Sequence, residues 1–286
     1  MTEKFKAYLS DLLNETIVHV ASVHGGDISD AYKLETSREV YFLKCHSGQE
    51  AIKMFEAEAK GLKLIGETKS IRTPEVLGLD TFDNTSFLIL EFIPSKSPDQ
   101  KDHEALGTQL AHLHLNTTTM FGLDHDNKIG KLPQSNTQHK SWPGFYARER
   151  LLPQLHLAKE KGLLKDSDCP DPERIESVLN EIFKNVKPSL VHGDLWSGNY
   201  LISETGTPYL IDPAVYYSDG LVDIAMSKLF GGFGSGFYNA YHEMIPKPET
   251  YSERIDLYQL YYLLVHLNLF GAAYRSGVRG ILSRYF

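Results

Sequence analysis

One stretch constrains the chain more than any other: Leu190-Val191-His192-Gly193-Asp194-Leu195-Trp196-Ser197-Gly198-Asn199-Tyr200-Leu201-Ile202. It reads as the apolar end of a strand, a tight polar loop, and a second apolar strand. Short apolar runs of this kind are buried in sheets, which leaves the loop and its His, Asp and Asn at the strand edges. A second apolar pair, Leu210-Ile211, delivers Asp212, followed by Pro213, at another strand edge. A fold that accepts this chain has to present Asp194, Asn199 and Asp212 from such edges.

The spacing gives these three residues a chemistry. Asp194 and Asn199 stand in the D-x-x-x-x-N pattern of a kinase catalytic loop, where the Asp accepts the acceptor hydroxyl's proton and the Asn holds a magnesium ion. Asp212 comes 18 residues after Asp194, where protein kinases carry the metal-binding Asp of Asp-Phe-Gly. One such pattern alone is weak, because Asp and Asn are common turn residues. The three together point to phosphoryl transfer.

The upstream part fits that reading. Apolar positions at helical spacing (Phe5, Tyr8, Leu9, Leu12, Leu13) predict a helix within residues 3–20. Val18–Val23 and Ala31–Thr36 read as strands around Gly25-Gly26, the shape of a hairpin whose bare backbone can approach phosphates; Gly-Gly is also an ordinary hairpin turn. Val40–Lys44 reads as a third strand ending in a candidate phosphate-pairing lysine, Lys44. A helix follows from about Gln49 to Gly66, with Phe55, Ala59, Leu62 and Ile65 on its buried face. Glu58 is the expected partner of Lys44, with Glu56 its rival. Val76–Leu79 and Phe87–Glu91 read as two more strands, and Glu91-Phe92-Ile93-Pro94 leaves the sheet as a hinge offering backbone groups to adenine. The predicted division is a nucleotide-covering lobe over 1–93, a hinge at 91–94, and a catalytic and acceptor-binding lobe over 95–286.

Downstream, helices are predicted at 102–115, 142–158, 172–186, Leu221–Phe230, 236–243 and 252–270, with a loop-rich segment at 121–140. His112 and His114 point in roughly opposite directions on a helix, cannot chelate one ion, and read as structural. A net charge of -8 and the lack of a basic patch argue against nucleic-acid or acidic-membrane binding. The two cysteines, Cys45 and Cys169, are far apart and suit a reduced, cytoplasmic setting. The N-terminus has no apolar run of the signal-peptide kind. Leu257–Ala273, the most apolar segment, is too short and too polar to span a bilayer and reads as a buried helix.

The chain resembles the fructosamine-3-kinase family along nearly its whole length. The most specific part is His192-Gly193-Asp194-Leu195-Trp196-Ser197-Gly198-Asn199, since many small-molecule kinases share His-Gly-Asp and a following Asn but not Leu-Trp-Ser-Gly. Asp212-Pro213-Ala214-Val215-Tyr216-Tyr217, Val222–Met226, Leu229–Phe233, Phe55–Ala59 and Trp142 with Phe145, Arg148 and Pro153-Gln154 support it. The resemblance implies an α+β, two-lobed fold like that of protein kinases and of aminoglycoside and choline kinases. It also implies phosphorylation of the 3-hydroxyl of ketosamines by ATP with Mg2+, in deglycation repair.

It assigns Asp194 to the acceptor's proton, Asn199 and Asp212 to magnesium, and Gly25, Gly26, Lys44, Glu58, Glu91, Phe92 and Ile93 to the nucleotide. Trp196, His266 and Asn268 are the candidates for the acceptor, small-molecule or protein-bound. Each of these three has a packing role as its rival. Asp223 resembles the buried Asp that holds the catalytic loop from below. Some family members carry a cysteine directly after the paired glycines; here that residue is Asp27, so thiol regulation is not carried over. The alternatives are a phosphotransferase for another small hydroxylated amine, and a nucleotide-binding pseudokinase. Intact Lys44, Asp194, Asn199 and Asp212 argue against the second. Nothing in the chain indicates its oligomeric state.

Overall fold

A computed structural model describes residues 1–23, 29–48 and 50–286. Gly25, Gly26 and Asp27 lie outside these. In chain order the elements are α1 (Glu3–Leu13), β1 (Ile17–Val23), β2 (Asp30–Thr36), β3 (Val40–Ser47), α2 (Ala51–Glu67), β4 (Val76–Phe82), β5 (Thr85–Glu91), β6 (Ser95–Lys96) and α3 (Gln100–His114). There follow β7 (Asn127–Ile129), β8 (Leu132–Gln134), α4 (Trp142–Phe145), α5 (Leu152–Glu160), α6 (Pro172–Ile182), β9 (Ser189–Val191), β10 (Tyr200–Ser203), β11 (Pro208–Leu210), β12 (Tyr216–Ser218), α7 (Leu221–Leu229), α8 (Ser235–Met244), α9 (Tyr251–Phe270) and α10 (Arg275–Tyr285). The chain divides into two compact units, Met1–Ser97 with Leu201–Asp212, and Pro98–Tyr200 with Pro213–Phe286.

The first unit is built on an antiparallel sheet in the order β1-β2-β3-β5-β4. Alternation along β3 sends Tyr41, Leu43 and Cys45 to one face, where they pack with Phe5 and Leu9 of α1 and with Ile17, Leu34, Phe87 and Ile89. The other face of β5 gives Leu88 and Leu90 to Phe55 and Leu62 of α2, with Phe42 packed against them. Covered on both sides, β5 is buried from Ser86 to Leu90. Lys44 shares the Phe42 face of β3 and therefore points toward α2. A second, three-stranded sheet, β11-β10-β6, carries Leu201–Asp212, and the Leu210 amide donates to the Arg72 carbonyl at 2.9 Å.

The second unit is mainly helical. The long α9 is buried through Leu257, Tyr258, Leu260, Tyr261, Tyr262, Leu264 and Leu267, and packs against α7, α5 and α10. β9 and β12 pair antiparallel, setting Val191 opposite Tyr216 and so fixing the strand before the His192–Asn199 loop. An aromatic cluster of Trp142, Tyr146, Phe183 and Tyr258 fills the space between α4, α6 and α9.

Several expected boundaries move. The first helix stops at Leu13, because Asn14 turns left-handed (φ 53) and its amide closes onto Asp11 and Ser10 carbonyls. The 142–158 helix is interrupted by a π-helical turn at Tyr146–Leu151 just before Pro153, which has no N–H to return to the Glu149 carbonyl. The 121–140 segment contains the short hairpin of β7 and β8. The helix expected to reach 186 ends at Ile182, and α10 adds a helix beyond those that the sequence pattern predicts. Among the described residues no helix is long and apolar enough to cross a membrane.

Candidate functional site

In the first unit, Lys44 is held by two carboxylates. Its Nζ donates to Glu58 Oε1 at 2.9 Å and Oε2 at 3.0 Å, and to Asp212 Oδ1 at 2.5 Å. Glu58 is the partner because it lies on the helical row Phe55-Glu58-Leu62-Ile65, the buried face of α2, whereas Glu56 is exposed. Burial opposes the charge on Lys44, but the two adjacent carboxylates outweigh it and hold its pKa above the ordinary lysine value. Glu58 is raised to about 7: burial pushes it up, Lys44 pulls it down, and Asp212, which shares the same ammonium, pushes it up. Two anions compete for one cation, so Glu58 holds its proton more tightly than an exposed carboxyl. Asp212 sits in the left-handed region (φ 53), which Asp tolerates better than most residues and which turns the chain sharply into Pro213.

The predicted hinge is only partly open to a ligand. The Glu91 amide donates to the Glu75 carbonyl at 2.9 Å, and Glu91 Oε2 accepts from the Glu75 amide at 3.2 Å. Phe92 lies under Lys33 Nζ, 5.1 Å from the ring centre, and the Ile93 side chain is buried. The Glu91 amide is therefore already engaged within the sheet.

In the second unit, the His192–Asn199 loop is fixed through its backbone. Asp223 Oδ2 accepts from the His192 amide at 2.7 Å and Oδ1 from the Gly193 amide at 2.8 Å. Asp223 is itself held by His114 Nε2 at 3.1 Å, and His114 Nδ1 lies 2.8 Å from the Tyr241 hydroxyl. From α9 the Tyr262 hydroxyl donates to the Gly193 carbonyl at 2.7 Å. Gly193 is obligatory: its φ is +85° and an added Cβ would lie 2.1 Å from the Ala214 carbonyl oxygen. The Asp194 amide donates to His192 Nδ1 at 3.3 Å, so buried His192 braces the loop from within.

The chemical groups follow. Asn199 turns its amide NH2 onto Asp194, 2.9 Å from the carbonyl and 3.2 Å from Oδ2, which directs its own side-chain oxygen away from Asp194. Asn199 and Asp212 thus each carry a hard oxygen, the ligand type that Mg2+ prefers over the nitrogen and sulfur ligands of softer metals. Trp196 is 40% exposed, and its ring lies so close over Gly198 that a Cβ there would be 2.4 Å from it. A large aromatic surface is therefore presented two residues past Asp194.

The two remaining acceptor candidates differ. His266 is half-buried; its Nδ1–H donates to the Tyr262 carbonyl at 2.8 Å and its ring contacts Phe230, Phe270 and Tyr274. Burial lowers its pKa, which favours the neutral ring, against the hydrogen bond to the Tyr262 carbonyl, which raises it. Asn268 is buried, and its amide donates at 2.9 Å to both the backbone and side-chain oxygens of Gln154. That ties α9 to α5 through the side-chain NH2, while the buried Asn268 Oδ1 has no hydrogen-bond partner among the described residues.

Sequence reasoning missed Tyr262 and gave His114 only a general structural role. A signal for His114 was present: it continues the Leu106-Leu110 row at i+4, the buried stripe of α3.

The profile of the family described as Fructosamine kinase matches residues 1–286. A Lactiplantibacillus plantarum protein named "Probable ketoamine kinase" is 40% identical over 282 residues, covering 98% of this chain and 99% of its own. A crystal structure from Haemophilus somnus 129PT, provisionally named a fructosamine-3-kinase, superposes with a TM-score of 0.88 at 29% identity, covering 99% of this chain and 96% of that one. A thermostable mutant of aminoglycoside phosphotransferase APH(4)-Ia, solved with AMP-PNP and hygromycin B, gives a TM-score of 0.64 at 17% identity over 99% of this chain and 98% of that one. The fold is accordingly α+β and protein-kinase-like, with a β-sheet N-terminal part and a helical C-terminal part.

Proposed function

Because the chain belongs to the fructosamine kinase family, we propose that it transfers the γ-phosphoryl group of ATP to the 3-hydroxyl of ketosamines, the sugar adducts that form on amines. A 3-phosphate destabilises the adduct and frees the amine, so the activity is a deglycation step. The observation that carries the reading is the unbroken set Lys44, Glu58, Asp194, Asn199 and Asp212 in a chain matched to the family from end to end.

Each residue then has a defined task. Asp194 receives or orients the proton of the acceptor hydroxyl; the transition state is loose, so its fixed position matters more than its basicity. Its position is set by the Asp223, Tyr262 and His192 contacts on the residues just before it. Lys44, kept charged and oriented by Glu58, pairs with the α- and β-phosphates. Phe92 and Ile93 supply backbone groups to adenine, and Gly25 and Gly26 approach the phosphates. Asn199 and Asp212 hold magnesium, which when bound neutralises phosphate charge. Trp196 offers a face for the acceptor sugar to pack on, with His266 as a second contact. Small-molecule and protein-bound adducts are both acceptors within this reading. Two free cysteines, one buried, are consistent with work in the cytoplasm.

The test is ATP turnover with fructosyl-, ribulosyl- and erythrulosyl-lysine beside an aminoglycoside and choline. Phosphorylation of the sugar adducts at the 3-hydroxyl is the expected result. Turnover confined to the aminoglycoside or choline would replace the substrate class, and no turnover of any acceptor would remove the enzyme reading.

A further inference from the structure

Three basic groups meet beside the C-terminal end of α7. Lys228, in the last turn of α7, lies 4.3 Å from the centre of the Tyr238 ring and 6.0 Å from that of Tyr251. Lys247, in the connection between α8 and α9, lies 5.1 Å from the centre of the same Tyr251 ring. His242 of α8 donates from Nδ1 to the Ile245 carbonyl at 3.0 Å, so its Nε2 accepts from the Tyr251 hydroxyl at 3.1 Å. The charges that act on this group come from one another: Lys247 on Lys228, and both lysines on His242. No carboxylate is among the charges that act on Lys228 or His242. In a chain of net charge -8 such a cluster would be expected to collect acidic partners.

The lysines are instead held by aromatic faces, which steady an ammonium without using up its donors. We propose that Lys228 and Lys247, braced by Tyr238 and Tyr251, form a binding site for a phosphate-type dianion. Two ammonium charges match a dianion, whereas a single carboxylate would leave one of them unmet. Lysine also serves as a point-charge ligand for phosphate. Lys228 is half-buried and has lost part of its water, so an anion placed there replaces hydration that is already missing. The site stands at the other end of α7 from Asp223, which holds the His192-Gly193 backbone, and it does not depend on the ketosamine reading.

His242 reports on occupancy. Burial lowers its pKa, and the two lysine charges lower it further. A bound dianion cancels the second effect, so the pKa of His242 rises. The experiment is an NMR pH titration of the His242 ring in the full chain, with inorganic phosphate, with glucose 6-phosphate, and with sodium chloride at matched ionic strength. A saturable upward shift with either phosphate compound and none with chloride is expected. If glucose 6-phosphate alone shifts the ring, the ligand is a phosphate ester; if inorganic phosphate acts as well, the phosphoryl group alone suffices. Lys247→Met, at an exposed position outside the packed core, should weaken the affinity about tenfold, the usual scale of one charge-assisted contact, and Lys228→Met should do the same. Equal shifts with chloride, no saturation, or unchanged phosphate affinity in folded K247M would overturn the proposal.

Discussion

At Lys44 two carboxylates share one ammonium, and that imbalance sets how the pair titrates. Glu58 is raised in the folded chain to about 7 by burial and by Asp212, against Lys44, from an ordinary value of 4.5. A carboxyl raised on folding contributes stability that is fully present below 4.5 and is lost as pH rises toward 7. Glu58→Gln should therefore flatten the fall of unfolding free energy across that interval, and Asp212→Asn should lower the Glu58 titration itself, read by carboxyl NMR. An unmoved Glu58 in D212N would deny that the two share Lys44. Asp194 invites a different substitution. Asp194→Asn can keep the contact to Asn199 while losing the proton acceptor, so kcat should fall about 10²–10⁴-fold with thermal stability unchanged. Unaltered turnover in the folded variant would remove Asp194 from the mechanism. Trp196, 40% exposed, is not a core residue, so Trp196→Ala should cost well under the roughly 3–5 kcal/mol of a buried aromatic. It should raise KM for the ketosamine and leave KM for ATP nearly fixed; equal KM values for wild type and variant would end the acceptor-platform role.

Three helices converge on the backbone before Asp194: α7 through Asp223, α3 through His114 onto that Asp, and α9 through Tyr262. Tyr262→Phe removes one donor and leaves the buried Gly193 carbonyl unpaired. The cost expected for such an orphan is about 1–3 kcal/mol of unfolding free energy, measured by urea titration. If the variant matches wild type in both urea midpoint and kcat, α9 does not position the loop. These elements differ in how plainly the sequence shows them. Asp223 falls near the start of an apolar helical run and reads as a buried anchor. Tyr262 sits beside Tyr258 and Tyr261, and only the distant contact decides which hydroxyl meets a carbonyl. The helix α10 carries Gly277 and Gly280 and buries only Val278 and Leu282, so neither propensity nor periodicity announces it. The π-turn depends on how the chain accommodates Pro153, and the three-residue strands β7 and β8 are too short to show alternation.

For the molecule as a whole, the alternation of β3 and β5, the buried row of α2 and the 194–199–212 spacing carried most of the fold and the chemical groups. What local pattern could not show was that Leu201–Asp212 belongs with the first unit, because β10 pairs with the two-residue β6, far away in sequence. That arrangement puts Asp212 on Lys44, so nucleotide binding and the stability of the first unit should be linked. A ligand that binds only the folded chain adds about 2.7 kcal/mol at 100 times its dissociation constant. A non-hydrolysable ATP analogue with magnesium should accordingly raise the melting temperature, and above its dissociation constant the rise should grow with the logarithm of its concentration. Asp194→Asn should keep that rise, since the proposed function has Asp194 act on the acceptor rather than the nucleotide. Asp212→Ala should lose most of it, because the variant gives up the proposed hard oxygen ligand and one of the two carboxylates that hold Lys44. The baseline melting temperature of each variant without ligand separates this loss from a general weakening of the fold. A full ligand-induced rise in D212A would take Asp212 out of nucleotide binding, and no rise in the wild type would deny nucleotide binding by this chain under any reading of its loop.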